Sequence, residues 1–272
     1  MTTEDTREYV LGDTEELAGE HFGYLQQLLD PQTTACLDSA GVRSGMRCLD
    51  VGAGGGSISR WLAGRGADVL AVDVDTTHLT GSPRVEVLRH DITDGVPGRD
   101  RFDLIHVRLV LMHLSRRAEL LAMLADRLVP GGWLVIGEYL GPQTRVVSTP
   151  GSAEEALFHR VQQTAHAAAA RAGAVSFTWA HEVDARMREA GLVNIEARSF
   201  TPTAQGGSAA ALLSSNLVRQ VEDLALRDGL TAEDLRAYHH LMRDPRFRAW
   251  FYEFVCTRGQ RPAGGPVRFP AR

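Results

Sequence analysis

The residues of this chain best suited to chemistry sit in Cys48-Leu49-Asp50-Val51-Gly52-Ala53-Gly54-Gly55-Gly56-Ser57, where an apolar strand pattern runs into glycines and then into a helical pattern. Positions without a side chain permit a tight turn and positive φ. They also let a ligand approach the backbone, and the helix that follows offers its unpaired amides to polar or anionic groups. The spacing is D-x-G-x-G-x-G. A dinucleotide fingerprint, G-x-G-x-x-G, needs Gly or Ala where Ser57 stands, and a pyrophosphate would be repelled by Asp50. Asp50 suits instead the positive end of a cationic ligand bound over the loop.

Further carboxylates end the next strand patterns. Asp73, in Ala71-Val72-Asp73-Val74-Asp75, is placed to accept both hydroxyls of a ribose, and is preferred to Asp75 for that role. Asp91, in Arg89-His90-Asp91-Ile92, is placed to accept from an adenine amino group while Ile92 packs on the ring. The strand ends then line a single nucleoside, with Gly52, Ala53 and Gly54 under it and Val74 and Val107 among its contacts. Groups able to move or orient a proton lie beyond the fourth and fifth strand patterns (His113, Glu138, Tyr139) and in the N-terminal helical pattern (His21, Tyr24). His113 is the expected catalytic residue, as base or orienting donor, and His21, Tyr24 and Tyr139 are expected to contact the substrate. His106 lies inside a strand pattern and reads as core. His239 and His240 are adjacent on a helical pattern and point apart, so no metal site is expected.

The elements that must position these groups follow from periodicity. Residues 14–40 repeat apolar side chains at helical intervals (Leu17, Phe22, Leu25, Leu28, Leu29, Cys36) until Gly41. Short apolar runs at 47–51, 68–74, 85–88, 104–107 and 133–137 alternate with helical segments such as 58–63 and 118–128, the pattern of a parallel sheet covered on both faces. Pro130-Gly131-Gly132 is expected to stop the second helix and turn the chain into the fifth strand. Beyond Gly141 the spacing predicts helices at 153–171, 181–190, 209–227 and 231–242, the last opened by Thr231-x-x-Asp234. Strands are predicted at 193–200 and 249–257. The expected organisation is a helical cap (1–43), a cofactor-binding α/β core (44–145), a helical lid (146–180) and a C-terminal completion of the core (181–272) with a helical insertion at about 206–244.

With these motifs in place, the sequence resembles the class I S-adenosylmethionine-dependent methyltransferases, in particular the small-molecule branch of ubiquinone and menaquinone C-methylases and natural-product enzymes. The likeness covers residues 9–140. It rests on Tyr9-Val10-Leu11-Gly12, the Leu29-Asp30-Pro31 turn, the glycine loop, Val72-Asp73, His90-Asp91, Phe102-Asp103-Leu104-Ile105 with Arg108 and His113, and Pro130-Gly131-Gly132. Ala53 and Gly55 replace the more usual Cys and Thr of such loops. The resemblance implies a doubly wound, Rossmann-like α/β fold with a seven-stranded sheet, one strand reversed, and helices over the substrate near 150–170 and 206–244. It implies S-adenosyl-L-methionine as cofactor and methyl transfer to an O, C or N atom of a small metabolite. A protein of this fold that binds the cofactor without transferring methyl, such as a cyclase, is the alternative. A nicotinamide oxidoreductase is opposed by Ser57 and Asp50.

Composition removes other classes. The chain of 272 residues contains no lysine, so Schiff-base chemistry and a Walker A loop, which need that amine, fall together. A formal charge of -5 gives no general attraction to nucleic acid or anionic membrane. Cys36, Cys48 and Cys256 stand far apart and suggest neither a disulfide framework nor a thiolate zinc site. A cytoplasmic monomer or homodimer with a small-molecule acceptor, and with no nucleic-acid or membrane partner, is expected.

Overall fold

The computed structural model describes residues 15–141, 145–172 and 175–264. The Tyr9 to Gly12 motif and the side chain of Leu17 lie outside the described residues. The described parts of Leu25–Leu140, Phe177–Phe200 and Glu253–Arg272 form one compact unit, and those of Met1–Tyr24, Gly141–Ser176 and Thr201–Tyr252 form a second. Helix α1 (Glu15–Ser39) begins in the second unit and ends in the first.

In the first unit the strands are β1 (Arg47–Val51), β2 (Asp68–Asp73), β3 (Val85–Arg89), β4 (Phe102–Arg108) and β5 (Leu128–Leu140), joined by α2 (Ser57–Gly64) and α3 (Arg117–Asp126). A short β6 (Arg145–Ser148) and α4 (Ser152–Arg171) belong to the second unit, and the chain re-enters the first at α5 (Trp179–Glu189) and β7 (Val193–Phe200). It then forms β8 (Thr203–Gln205), α6 (Ala209–Gln220), α7 (Glu222–Arg227), α8 (Ala232–Leu241) and β9 (Arg248–Trp250) in the second unit, and returns as β10 (Glu253–Gln260). The first unit's sheet has the order β3-β2-β1-β4-β5-β10-β7, and β10 runs antiparallel to both its neighbours. This is the expected seven-stranded sheet with one reversed strand. Leu49, Leu104, Ile105 and Leu134 are wholly buried in its central strands, as a sheet covered on both faces requires. The edge strands β3 and β7 are more exposed, with Val85 their one buried residue.

The structure departs from the sequence reading at several boundaries. Pro130, Gly131 and Gly132 lie within β5 and do not end a helix: α3 stops at Asp126, and the backbone of Gly131 and Gly132 exchanges hydrogen bonds with Arg261. Pro31 lies inside α1, so the Leu29-Asp30-Pro31 turn does not form. Burial of Leu29, Thr33 and Leu37 holds the helix across it, outweighing the hydrogen bond that proline removes. The expected helix at 209–227 breaks at Val221 (φ -110) into α6 and α7. The expected strand at 249–257 is split between β9 and β10, which belong to different sheets.

The second unit holds the small sheet β6-β9-β8 and the helices α4, α6, α7 and α8. Phe158, Val161, Ala165 and Ala168 are the buried face of α4, as their spacing predicts. Phe158 stacks on Tyr238 at 6.2 Å between ring centres and meets Phe247 at 4.9 Å. Helix α8 opens with a complete capping box, Thr231 Oγ1 accepting from Asp234 N while Asp234 accepts from Thr231 N.

Candidate active site

The glycine loop leaves β1 through three left-handed turns, at Gly52 (φ 65), Gly54 (φ 51) and Gly56 (φ 69). Its start is tied to β2, since Gly52 N and Ala53 N both donate to Val72 O. Gly54 N donates to Asp73 Oδ2 at 2.8 Å, and Asp75 N donates to Asp73 Oδ1 at 3.1 Å. Asp73 thus stands at the tip of β2, directly across from the loop. Burial pushes its carboxyl above the usual range, against the pull of the amides of Gly54, Asp75 and Val74. Asp75 folds back on its own turn and accepts from Thr77 N and Oγ1, which hold its carboxyl below the usual range. Val74 is 51% exposed, an apolar side chain beside the carboxylate. Asp91 caps the 3-10 turn Ile92–Asp94, Oδ1 accepting from Thr93 N and Oγ1, and Ile92 is buried beneath that turn.

Asp50 requires a correction. Its carboxylate is 1% exposed and is taken up inside the unit, Oδ2 by Ser59 Oγ at 2.5 Å and Oδ1 by His106 Nδ1 at 2.7 Å. It anchors the base of the loop and does not face a cationic ligand. Parallel register explains the pairing, because Asp50 and His106 are direct partners across β1 and β4. His106 is buried, as read from the sequence. Val107 has no exposed surface, so its side chain makes no ligand contact; it belongs to the core of β4. Tyr139, expected at the substrate, is 7% exposed with its ring edge-on to Phe254 at 5.9 Å, and burial pushes its phenol up. It too is a core residue. His113 ends the 3-10 turn Leu111–His113 and is half-buried, with its amide donating to Val110 O. His21 and Tyr24 are half-buried on α1.

Two further carboxylates bear on this region: Asp30, whose contacts the sequence did not show, and Glu138, named there among the groups able to move a proton. Asp30 Oδ1 accepts from Ser57 Oγ at 3.1 Å and from Arg108 Nη1 at 2.8 Å, so one carboxylate joins α1 to the start of α2 and the end of β4. The Leu29-Asp30-Pro31 motif carried that signal, although its role is a clamp within a helix. Glu138 is 1% exposed at the carboxyl half of β5, where Oε1 accepts from Met112 N at 3.3 Å and buried Oε2 has no hydrogen-bond partner. Burial pushes its carboxyl up to about 8. Because the folded state keeps this proton after the unfolded chain has released it, stability falls as pH rises from the ordinary glutamate value to about 8, then levels off. The slope is up to ~1.4 kcal/mol per pH unit. Glu138→Gln is expected to flatten this part of the melting-temperature profile, and to be at least as stable as the parent at pH 8. A profile unchanged by the substitution would show that Glu138 is ionised.

Positive-φ glycines, a carboxylate across from them and an exposed apolar residue beside it stand together at the carboxyl ends of the strands, where open α/β sheets bind their ligands.

The chain belongs to the methyltransferase domain family, whose model matches residues 22–197. The cofactor of that family is S-adenosylmethionine. Over 116 residues the chain is 33% identical to a ubiquinone biosynthesis O-methyltransferase of Burkholderia multivorans, covering 39% of this chain and 50% of that one. It is 35% identical over 111 residues to a demethylmenaquinone methyltransferase of Clavibacter sepedonicus, covering 38% and 45%. The chain thus matches about half the length of these curated relatives. Among solved structures, a phosphoethanolamine N-methyltransferase 2 of Haemonchus contortus in complex with S-adenosyl-L-methionine shares the fold with a TM-score of 0.58 at 16% identity, covering 95% of this chain and 61% of that one. Among the described residues no group of three or more His, Cys, Asp or Glu side chains could hold a metal ion, and no helix is long and apolar enough to cross a membrane.

Proposed function

We propose that this protein is an S-adenosylmethionine-dependent methyltransferase acting on an O, C or N atom of a small metabolite in secondary metabolism. The observation that carries the reading is the glycine loop with its Gly54 amide donating to Asp73. Backbone at Gly52, Ala53 and Gly54 would hold the amino-acid end of the cofactor, Asp73 its ribose, and Val74, Asp91 and Ile92 the region of its base. Bound, the cofactor supplies a methyl group already activated on a sulfonium. What the chain must add is positioning, which can supply roughly 7–11 kcal/mol. His21 and Tyr24 would contact the acceptor, and His113 would orient it or take its proton. The O-methyltransferase name of one relative favours a hydroxyl as the accepting group. Buried Cys36, Cys48 and Cys256, none of them in a disulfide, suit a reducing cytoplasm, where we place the protein as a monomer or homodimer.

Incubation with methyl-labelled cofactor and a panel of phenols, enols and amines tests the activity. The expected result is a labelled product with one demethylated cofactor formed per methyl moved. Cofactor that binds and returns intact, with product formed from an acceptor without label, would replace transfer by a cyclase-type reaction.

A further inference from the structure

Arg108 closes β4 beside the glycine loop, within the first unit. Parallel register pairs Val51 with Val107, so Arg108 stands one step further on, level with Gly52, and its partner in β5 is Gly137. Its Nη1 donates to Asp30 Oδ1 at 2.8 Å and to Thr33 Oγ1 at 3.2 Å. The same Asp30 oxygen accepts from Ser57 Oγ, so the guanidinium is tied to both ends of the loop, through the strand at Gly52 and through Asp30 at Ser57. A guanidinium carries five N–H groups in a rigid fork. Two are used here, both on Nη1. Among the described residues Nε and Nη2 donate to nothing, although the side chain is only 12% exposed. Enclosing a charged donor unpaired is unfavourable, and the edge left over, with parallel N–H groups on Nε and Nη2, is shaped for both oxygens of a carboxylate. Leu109 adds an independent observation. It holds a left-handed backbone (φ 55) that a branched side chain rarely adopts, and such strain gathers at ligand sites.

We propose that Arg108 takes the carboxylate at the amino-acid end of the cofactor through Nε and Nη2, with Asp30 and Thr33 as positioning residues that hold Nη1 and so fix the plane of the fork. The proposal rests on the S-adenosylmethionine reading. It adds a side chain that selects among adenosyl ligands, favouring those that carry an α-carboxylate beyond the sulfur. Asp50 is buried against Ser59 and His106 and does not serve that end. Asp30 balances the guanidinium charge, and an α-amino acid brings its own ammonium with its carboxylate, so the balance is kept when the ligand binds.

Calorimetry on the full chain with S-adenosylmethionine, decarboxylated S-adenosylmethionine and methylthioadenosine tests this. The parent is expected to bind the decarboxylated ligand about 100-fold or more weakly than S-adenosylmethionine, the loss of two hydrogen bonds to a charged group. In Arg108→Met the two are expected to bind alike, while methylthioadenosine, which has no amino-acid end, keeps its parental affinity. Arg108→Lys keeps a charge for Asp30 and loses the fork, and is expected to give an intermediate ratio. Asp30→Ala is expected to lower the ratio as well, with methylthioadenosine again unchanged; a merely structural role would move all the ligands together. A ratio near one in the parent would overturn the inference, as would a ratio that Arg108→Met and Arg108→Lys leave at the parental value, or an equal loss of every ligand in those variants. A parent that binds methylthioadenosine with a ratio near one would keep its nucleoside site and lose only the role of Arg108. A parent that binds none of the ligands would overturn the cofactor reading itself.

Discussion

Asp73→Ala is expected to weaken S-adenosylmethionine binding by roughly 100- to 10,000-fold, with a melting temperature close to the parent's. Each hydrogen bond to an ionised carboxylate contributes about 1.5–3 kcal/mol, and a ribose diol makes two, so their joint loss accounts for the range. The fold should tolerate the change. Asp73 is only partly buried at the end of β2, and its internal partners are the amides of Gly54 and Asp75 in a loop with access to water. Asp73→Asn separates two contributions: it keeps the shape and one acceptor, and is expected to bind between the parent and the alanine variant. Calorimetric affinities measured beside a thermal melt check both points. An Asp73→Ala chain with parental affinity would remove the ribose assignment.

Gly52→Ala is expected to destabilise the chain by about 2–5 kcal/mol. The left-handed backbone at φ 65 disfavours an L side chain by about 1–2 kcal/mol. A Cβ built there would also stand 2.1 Å from Val110 Cγ2, an overlap that forces the loop or the strand end to move. Overpacking of that kind costs about 1–3 kcal/mol. Gly41→Ala supplies the control, since Gly41 has φ 78 with no atom within 4 Å of a new Cβ, and backbone strain acts there alone. The expected fall in melting temperature is roughly 5–20 °C for Gly52→Ala and about half of that or less for Gly41→Ala. Equal effects at the two sites would show that the contact with Val110 relaxes freely. Cofactor binding should fall with Gly52→Ala as well, because Gly52 N and Ala53 N share the carbonyl of Val72 that aims the loop.

Local periodicity made the first unit legible. The runs at 47–51 and 85–88 reappear as β1 and β3 with boundaries shifted by no more than a residue, because a short, mainly apolar run bounded by turn residues is the local mark of a strand. The glycine loop was legible for a similar reason, since only glycine holds several left-handed positions so close together. What failed depends on partners distant in sequence. Asp50 looked like a ligand because a carboxylate inside an apolar strand has no local explanation. Its explanation is His106, set opposite by the register of β1 and β4, and aligning those two apolar runs would have shown it. Tyr139 misled in the same way: a tyrosine at a strand's carboxyl end suggests a site, yet Phe254 on β10 covers it. Helices α6 and α7 read as one helical pattern in the sequence, where nothing marks the polar residues of α6 as buried. Only the fold shows that Ser214, Asn216 and Gln220 are buried.

The loop at Gly52–Gly56 and the carboxylate of Asp73 are proposed as the nucleoside site for S-adenosylmethionine. Calorimetric titration of the cofactor-stripped protein with S-adenosylmethionine, S-adenosylhomocysteine and NADH in parallel tests it most directly. Micromolar binding of the first two, lost in Asp73→Ala, and no binding of NADH are expected. Binding of NADH with no response to either sulfur compound would contradict it.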